Sequence, residues 1–271
     1  MTIRPSSRGA AGPGATGPGA PGARPLGTRD EASAAQYVRR LFSDVAGRYD
    51  LLNHLLSFQM DRYWRAATAR QFRHTLRRPE ARVLDLCCGT ADLSLALARR
   101  GPAQIYASDF CHPMLAQAQQ KLRNGKPPAS PAPRLIEADA LVLPFADASF
   151  DLVTCAFGFR NLANYDAGLR EILRVLRPGG EAGILEFSEP SSRWLAPLYS
   201  FYFHRVLPVV GEWVAGVPGS YSYLPGSVER FPGPQEFTEW MRRAGFAAPR
   251  ARKFHGGIAV LYSGRKSAQS A

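Results

Sequence analysis

The sequence predicts an α/β protein built on a doubly wound, mostly parallel sheet of seven strands. Three observations lead there. Short apolar runs recur at residues 83–86, 104–109, 134–139, 150–157 and 181–187, with the near-continuous hydrophobicity of strands buried on both faces. Helical patterns separate these runs, the order expected of parallel strands joined by crossover helices. Two last runs, 250–254 and 258–263, meet through His255-Gly256-Gly257 and read as a terminal hairpin, which adds one antiparallel strand.

Residues 1–32 are rich in Gly, Pro and Ala and have no periodic apolar face, so they are expected to be a disordered tail; they also lack the apolar core of a secretory signal. Residues 33–271 form one domain. Within it, residues 33–78 predict a helical cap. Val38, Leu41, Phe42 and Val45 follow a helical period, and Leu51, Leu52, Leu55 and Leu56 read as one apolar stripe. Tyr49 and Asn53 lie near that stripe, where a cap over a ligand turns them toward a substrate. Residues 65–78 predict a further helix leading into the first strand.

The first strand, with Val83, Leu84 and Leu86, is broken by Cys88, Gly89 and Thr90, and a helical pattern starts at Asp92. Strand, tight loop and helix aim backbone N–H groups at a ligand lying across the strand's carboxyl end, the Rossmann-like arrangement. A dinucleotide loop needs three glycines; this one has only Gly89, which argues against a nicotinamide dehydrogenase. Instead, three strands end in acids. Asp85 favours an amino-bearing ligand, Asp109 stands about twenty residues past the loop where a carboxylate accepts ribose hydroxyls, and Asp139 can accept from an adenine amino group. A ligand with an amino-acid end, a ribose and an adenine but no phosphate is S-adenosylmethionine.

Residues 113–122 predict the second crossover helix, and 124–133 a Pro-rich loop. The fourth strand ends in Gly158-Phe-Arg-Asn-Leu162, which places Arg160 and Asn161 on the ligand side of the sheet. Residues 165–176 predict a helix closed by Arg177-Pro-Gly-Gly180, and 235–246 a helix ended by Gly245. Between them, residues 190–232 form an insertion. Its apolar stretch, 194–213, is interrupted by His204, Arg205 and Glu212 and broken by Pro197 and Pro208. It therefore reads as a lid over a hydrophobic substrate or a face touching a bilayer, not as a membrane span.

The chain has 271 residues and a net charge of +12, from 34 Lys and Arg against 22 Asp and Glu. The arginines are scattered, with no basic block interleaved with aromatics, so nucleic acid is not an expected partner. Cys87, Cys88, Cys111 and Cys155 have no metal or redox spacing; they read as small buried residues in a reducing cytoplasm, and no metal is implied.

Several blocks resemble the quinone-biosynthesis C-methyltransferases, the family that methylates demethylmenaquinol or the equivalent ubiquinone precursor. They are Tyr49-Asp-Leu-Leu-Asn-His-Leu-Leu-Ser-Phe58, Leu84-Asp-Leu-Cys-Cys-Gly-Thr-Ala-Asp-Leu93, Phe157-Gly-Phe-Arg-Asn161, Arg174-Val-Leu-Arg-Pro-Gly-Gly180 with Leu185-Glu-Phe-Ser188, and Tyr221-Ser-Tyr-Leu224. The resemblance runs from about Val38 to Gly264. It implies a class I S-adenosylmethionine-dependent methyltransferase with cofactor contacts at Thr90, Asp109 and the Asp139–Ala140 pair, and substrate-side residues Tyr49, Arg160 and Asn161. Arg160 would clamp a developing quinolate, with His204 as a reserve base. Ala156 stands where the family often has Ser, and Ala91 where a second Gly is common. The Cys87-Cys88 loop and Leu224-Pro-Gly-Ser227 point to the menaquinone branch, with 2-methoxy-6-polyprenyl-1,4-benzoquinol as the alternative acceptor. A prenylated quinol is insoluble, so the resemblance also implies transient contact with the inner face of the cell membrane. The rivals are another small-molecule acceptor and a non-catalytic cofactor-binding scaffold; a homodimer is left open.

Overall fold

The computed structural model describes residues 21–25, 27–125, 131–190, 195–207 and 223–268. Seven strands are present among them: β1 (Arg82–Leu86), β2 (Gln104–Asp109), β3 (Arg134–Glu137), β4 (Phe150–Ala156), β5 (Leu176–Phe187), β6 (Phe246–Phe254) and β7 (Ala259–Lys266). They form one sheet in the order β3-β2-β1-β4-β5-β7-β6. β1 pairs in parallel with both β2 and β4, and β7 runs antiparallel to both of its neighbours. The expected fold class is therefore the one observed, down to the single antiparallel strand. The strand order reverses between β1 and β4, and in an open parallel sheet a ligand crevice opens there, past the carboxyl ends.

Alternate residues of each strand feed opposite cores. Leu84 and Leu86 face α7 (Tyr165–Val175) and α10 (Pro234–Ala244), in a core with Val153, Ile184, Leu169, Ile172, Phe237 and Met241. Val83, Ile105 and Leu152 face the other way, onto Phe72, Leu76, Leu93 and Leu97. These last come from the segment around α4 (Arg73–Leu76) and from α5 (Asp92–Ala98). On the same scaffold α6 (His112–Asn124) links β2 to β3.

Three expectations are corrected. The Arg177-Pro-Gly-Gly180 segment does not stop short of the strand: Leu176 already pairs with Phe150 and Glu181 with Leu152, so 177–180 bulge out of β5. Pro178 has no N–H for the ladder and Gly179 takes φ +78°, which gives the bulge its shape. Second, the tail does not extend to 32. α1 (Glu31–Val45) begins earlier, capped by Asp30, whose carboxylate accepts from Ser33 N at 2.7 Å. The chain is fastened before that: Ala23 N donates to Leu162 O and Tyr165 N to Pro21 O. Gly22 lies so close to Ala163 that a Cβ would sit 2.0 Å from its carbonyl oxygen, so composition that reads as disorder serves here for close backbone approach. The expected tail up to residue 20 lies outside the described residues.

The third correction concerns the leucine stripe. α2 (Tyr49–Leu56) buries Leu52 and Leu56, but Leu51 and Leu55 point outward and are 61% and 48% exposed. The four leucines divide between two faces because 51/55 and 52/56 are each one helical turn apart while the two pairs are about 100° apart. α3 (Met60–Gln71) follows and packs toward α5. From the lid, α8 (Leu195–Phe201) continues into a π-helical turn, Tyr202–Val206, and α9 (Tyr223–Arg230) returns the chain to the sheet. Residues 191–194 and 208–222, with Tyr221, and the His204 side chain lie outside the described residues.

Candidate active site

Two cavities open side by side at the carboxyl ends of β1 and β4. Counting the solvent-open space at their mouths, the first spans about 720 Å3 and the second about 1440 Å3. Phe42, Tyr49 and Phe157 line both, so these three side chains form the partition across which two ligands would meet. Phe157 holds its place in the left-handed region at φ +61°, stacked on Phe187 with ring centroids 4.3 Å apart. Such strain in a bulky residue persists only where packing over-determines it.

The first cavity fits the cofactor expected from the strand-end acids. Gly89, Asp109, Asp139, Ala140 and Asn161 line it, with Ala35, Val38 and Phe42 of α1 as its roof. Gly89 sits at φ +55°, and a Cβ there would meet Met114 Cε and Tyr49 Cε1 at 3.7 and 3.8 Å, so the missing side chain leaves room for a ligand. Asp109 accepts from Gly89 N at 2.8 Å and Cys111 N at 2.9 Å, one bond on each oxygen. A carboxylate has about four lone-pair positions, so two remain for a pair of vicinal hydroxyls. Burial raises the Asp109 pKa, and the bonds from Cys111 and Gly89 oppose that shift. The exposed Asp139 anchors its loop by accepting from Leu141 N at 2.9 Å.

Two expected cofactor residues stand behind the cavity instead of lining it. Asp85 is fully buried and accepts from Ser94 Oγ and Thr154 Oγ1, which tie β1 to α5 and β4. Burial pushes its carboxyl up to about 7. Thr90 donates to Asp50 on α2 and accepts from Lys121 Nζ at 3.1 Å. Lys121 also reaches Asp92 at 2.8 Å, so this group joins the cap to the loop, and Thr90 serves the joint. Nearby, His54 Nδ1 bonds Asp61 Oδ2 at 2.8 Å while Arg65 pairs with the same carboxylate. His54, Asp61 and Asp92 lie close enough to hold an ion. The Arg65 guanidinium beside Asp61 and Asp92 already neutralises that cluster.

The second cavity is mainly apolar, walled by Leu41, Leu56, Tyr202, Phe203, Leu207 and Ile258 among others. Arg160 enters it from the 3-10 turn after β4, and its charge is not isolated. Nη1 donates to Glu186 Oε2 at 2.9 Å and to the Phe157 carbonyl, Nε donates to Ser227 Oγ at 3.3 Å, and Arg160 N donates to Glu186 Oε1 at 3.0 Å. Among the described residues Nη2 makes no hydrogen bond, while the guanidinium lies over the Phe187 ring at 5.5 Å, so the Nη2 edge keeps its donors for a ligand. Burial alone would lower the Arg160 pKa; Glu186, Tyr49 and Tyr223 together outweigh it and the net shift is upward. Glu186 was missed by sequence reasoning. Its signal was an acid inside the apolar run Ile184-Leu185-Glu186-Phe187, the same oddity that marked Asp85. Asn161 faces the first cavity and accepts from Tyr223 O–H at 3.2 Å. Tyr49, on the partition, has its phenol pKa raised by burial.

Residues 30–266 match the model of the ubiE/COQ5 methyltransferase family. The chain belongs to that family. It is accordingly an S-adenosylmethionine-dependent methyltransferase. Among its relatives is a demethylmenaquinone methyltransferase of Deinococcus radiodurans, 46% identical over 88% of this chain and 95% of that protein. Another, of Thermus thermophilus, is 45% identical over 83% of this chain and 99% of that one. A ubiquinone/menaquinone biosynthesis C-methyltransferase of Geobacter sulfurreducens is 45% identical over 84% and 88%. Solved structures agree on the fold. A Thermotoga maritima protein described as an S-adenosylmethionine-dependent methyltransferase superposes with a TM-score of 0.55 at 16% identity, over 84% of this chain and 99% of that one. The [4+2]-cyclase SpnF does so with 0.51 at 20% identity, over 76% and 81%. Two such different descriptions on one framework show why family membership, not fold, fixes the reaction class.

Proposed function

We propose that the chain transfers a methyl group from S-adenosylmethionine to a ring carbon of a prenylated demethylmenaquinol, giving menaquinol. The observation that supports this most directly is the pairing of a cavity that carries Asp109 and Asp139 with a larger apolar one across the Phe42–Tyr49–Phe157 partition. A flat ring against the partition and a hydrocarbon tail along the apolar walls would fill the second cavity. The naming of the Deinococcus and Thermus relatives favours the menaquinone branch.

When bound, the cofactor supplies an electrophilic methyl group on a positively charged sulfur. Asp109 would hold the ribose hydroxyls, Asp139 and the Ala140 backbone the adenine, and Gly89 would admit the amino-acid end. Asp85 and Thr90 would act through the loop they brace. On the acceptor side, a quinol carbon becomes nucleophilic as the neighbouring hydroxyl gives up its proton to water; once that carbon carries the new methyl group its own hydrogen leaves as a proton and the oxygen is reprotonated, so the ring regains aromaticity with one net proton released. The Nη2 edge of Arg160 would donate to that oxygen as negative charge develops, and Tyr49 would hold the ring in line for attack. Arg160 does not take the proton, because its pKa lies far above the working range. Because Glu186 already balances its charge, Arg160 acts as an oriented donor more than as a bare cation. The apolar second cavity keeps water from the reacting carbon.

The test is methyl transfer from labelled S-adenosylmethionine to chemically reduced demethylmenaquinone, with the reduced ubiquinone precursor in parallel. Label in menaquinone is the expected outcome. Label in neither acceptor, with cofactor binding intact, refutes the reading and favours another acceptor or the scaffold. Arg160→Lys should lower kcat about tenfold or more while cofactor affinity stays within about twofold. Near-normal turnover would remove Arg160 from the reaction.

A further inference from the structure

Most polar groups that line the second cavity are already committed to the protein. Asp61 is bonded by His54, Ser57 and Arg65. Tyr202 O–H donates to Leu56 O at 2.8 Å, Tyr223 O–H donates to Asn161, and Asn53 bonds Tyr49. The Tyr199 hydroxyl has no partner, but it is sealed over. Beside the Nη2 edge of Arg160 and the Tyr49 phenol, one polar side chain is left among the described residues of the lining, His255.

His255 opens the tight turn between β6 and β7. The turn is firmly set. His255, Gly256 and Gly257 take φ of +46°, +69° and +105°. Phe254 and Ala259 pair on either side of it, and Ser188 N donates to Ile258 O at 3.0 Å. A left-handed conformation in a residue with a Cβ persists where its surroundings impose it. The ring is held as well, against Tyr63 at 5.4 Å and Trp64 at 5.8 Å.

Trp64 decides where the ring carries its proton. The buried indole Nε1 donates to His255 Nδ1 at 2.8 Å. An indole nitrogen can only donate, so Nδ1 has to accept, and the proton of the neutral imidazole stands on Nε2. A second proton can be taken only at Nδ1, by breaking the Trp64 bond. His255 is therefore no base of this site. It is a fixed donor, and among the described residues Nε2 has no partner. Trp64 also connects this donor to the reacting end. Its ring lies 6.0 Å from both Phe157 and Phe187, and the Arg160 guanidinium lies over Phe187 at 5.5 Å. One chain of packed rings runs from the Arg160 donor to the His255 donor. A para-diol ring carries two oxygens on opposite sides, and Arg160 accounts for one.

We propose that His255 Nε2–H donates to the second ring oxygen of the acceptor, para to the one held by Arg160, and that Trp64 is the positioning residue that keeps His255 in this tautomer. The inference rests on the proposed quinol substrate. It gives His255 a part in selecting the diol rather than in the rate. A bond to the remote oxygen is made alike before and during methyl transfer, so its loss raises KM and spares kcat.

Two measurements test it. Nitrogen-15 NMR of the histidine-labelled full-length chain should show a histidine in the Nε2–H form with Nδ1 accepting, a signature that Trp64→Phe abolishes. A short-tailed demethylmenaquinol should move that Nε2 resonance, and the analogue lacking the second hydroxyl should not. Calorimetry in the presence of S-adenosylhomocysteine, which has no methyl group to transfer, should find the diol bound about fivefold to tenfold more tightly than the analogue. In His255→Phe the two should bind alike. The KM of that variant for the quinol should rise about fivefold to tenfold, with kcat and cofactor affinity within about twofold.

A resting ring with its proton on Nδ1, or with two protons, overturns the donor assignment. A parent chain that binds diol and analogue equally overturns the contact, and so does a His255→Phe chain that still separates them. A parent that shows the Nε2–H form and prefers the diol, yet transfers no label to it, would uphold the contact and refute the substrate reading instead.

Discussion

The two cavities share a wall and are built in opposite ways. The cofactor side is made from consecutive strand ends, and Asp109 is fixed by N–H groups of its own loop and of the Gly89 loop. The substrate side is gathered from distant segments, with Leu41, Leu56, Arg160, Tyr202 and Ile258 brought together by the cap, the lid and the last hairpin. Its buried Arg160 has one carboxylate to balance it, Glu186. The first site is thus held by backbone geometry and the second by side-chain packing around an ion pair. Binding of the cofactor should tolerate damage to the second site far better than turnover does.

Glu186→Ala tests that contrast most severely. It leaves the Arg160 guanidinium buried without its counter-charge, which costs about 3–5 kcal/mol. Denaturant unfolding should show the loss, and methyl transfer should fall about a hundredfold, while calorimetry finds cofactor affinity within about threefold. A matched loss of cofactor affinity would mean that the two sites are not separately built. Asp85 sharpens the cofactor side. Its folded pKa is about 7 against the ordinary aspartate value of 3.8. Between those values the folded chain keeps a proton that the unfolded chain has released, so this group makes stability fall as pH rises through that window and level off above it. Asp85→Asn should flatten the profile, by on the order of 4 kcal/mol across the window. An unchanged profile would show that the carboxyl is ionised throughout.

Asp109→Asn should weaken cofactor binding by about tenfold to a hundredfold, roughly 1.4–3 kcal/mol, with the pocket for the quinol intact. Smallest is Ala91→Gly. Ala91 lies in the left-handed region at φ +67°, where a Cβ costs about 1 kcal/mol. Relief of that strain, partly offset by a freer unfolded chain, should raise stability by less than about 1 kcal/mol and leave turnover unchanged. A clear loss of stability would show that the Ala91 methyl is needed for packing.

The same contrast explains what could be read from the sequence. The strand pattern, the glycine loop and the acids at 109 and 139 are local features, and each survives into the fold where its neighbours place it. Local pattern could also show that Asp85 is unusual, but not which way its carboxylate turns. Ser94 and Thr154 decide that, from two other elements. Thr90 is a cofactor contact through the resemblance alone, and local pattern could not show the Asp50–Lys121 joint it also serves, because that joint involves α2 and α6. The split of the leucines in α2 was invisible for a related reason: one broad stripe and two pairs about 100° apart differ only in what packs on each side.

The roof over the cofactor, finally, has a kinetic consequence. Ala35, Val38 and Phe42 close the first cavity from above, while Asn164 Nδ2 donates to Glu31 Oε1 at 3.1 Å at one end of α1 and Thr90 grips α2 beyond the other. A nucleoside bound beneath that roof would leave past these side chains, so release would have its own barrier, separate from bond making. Once transfer is fast, the turnover number reports the breathing of the N-terminal helices, and solvent viscosity would slow it even though no reacting atom touches solvent.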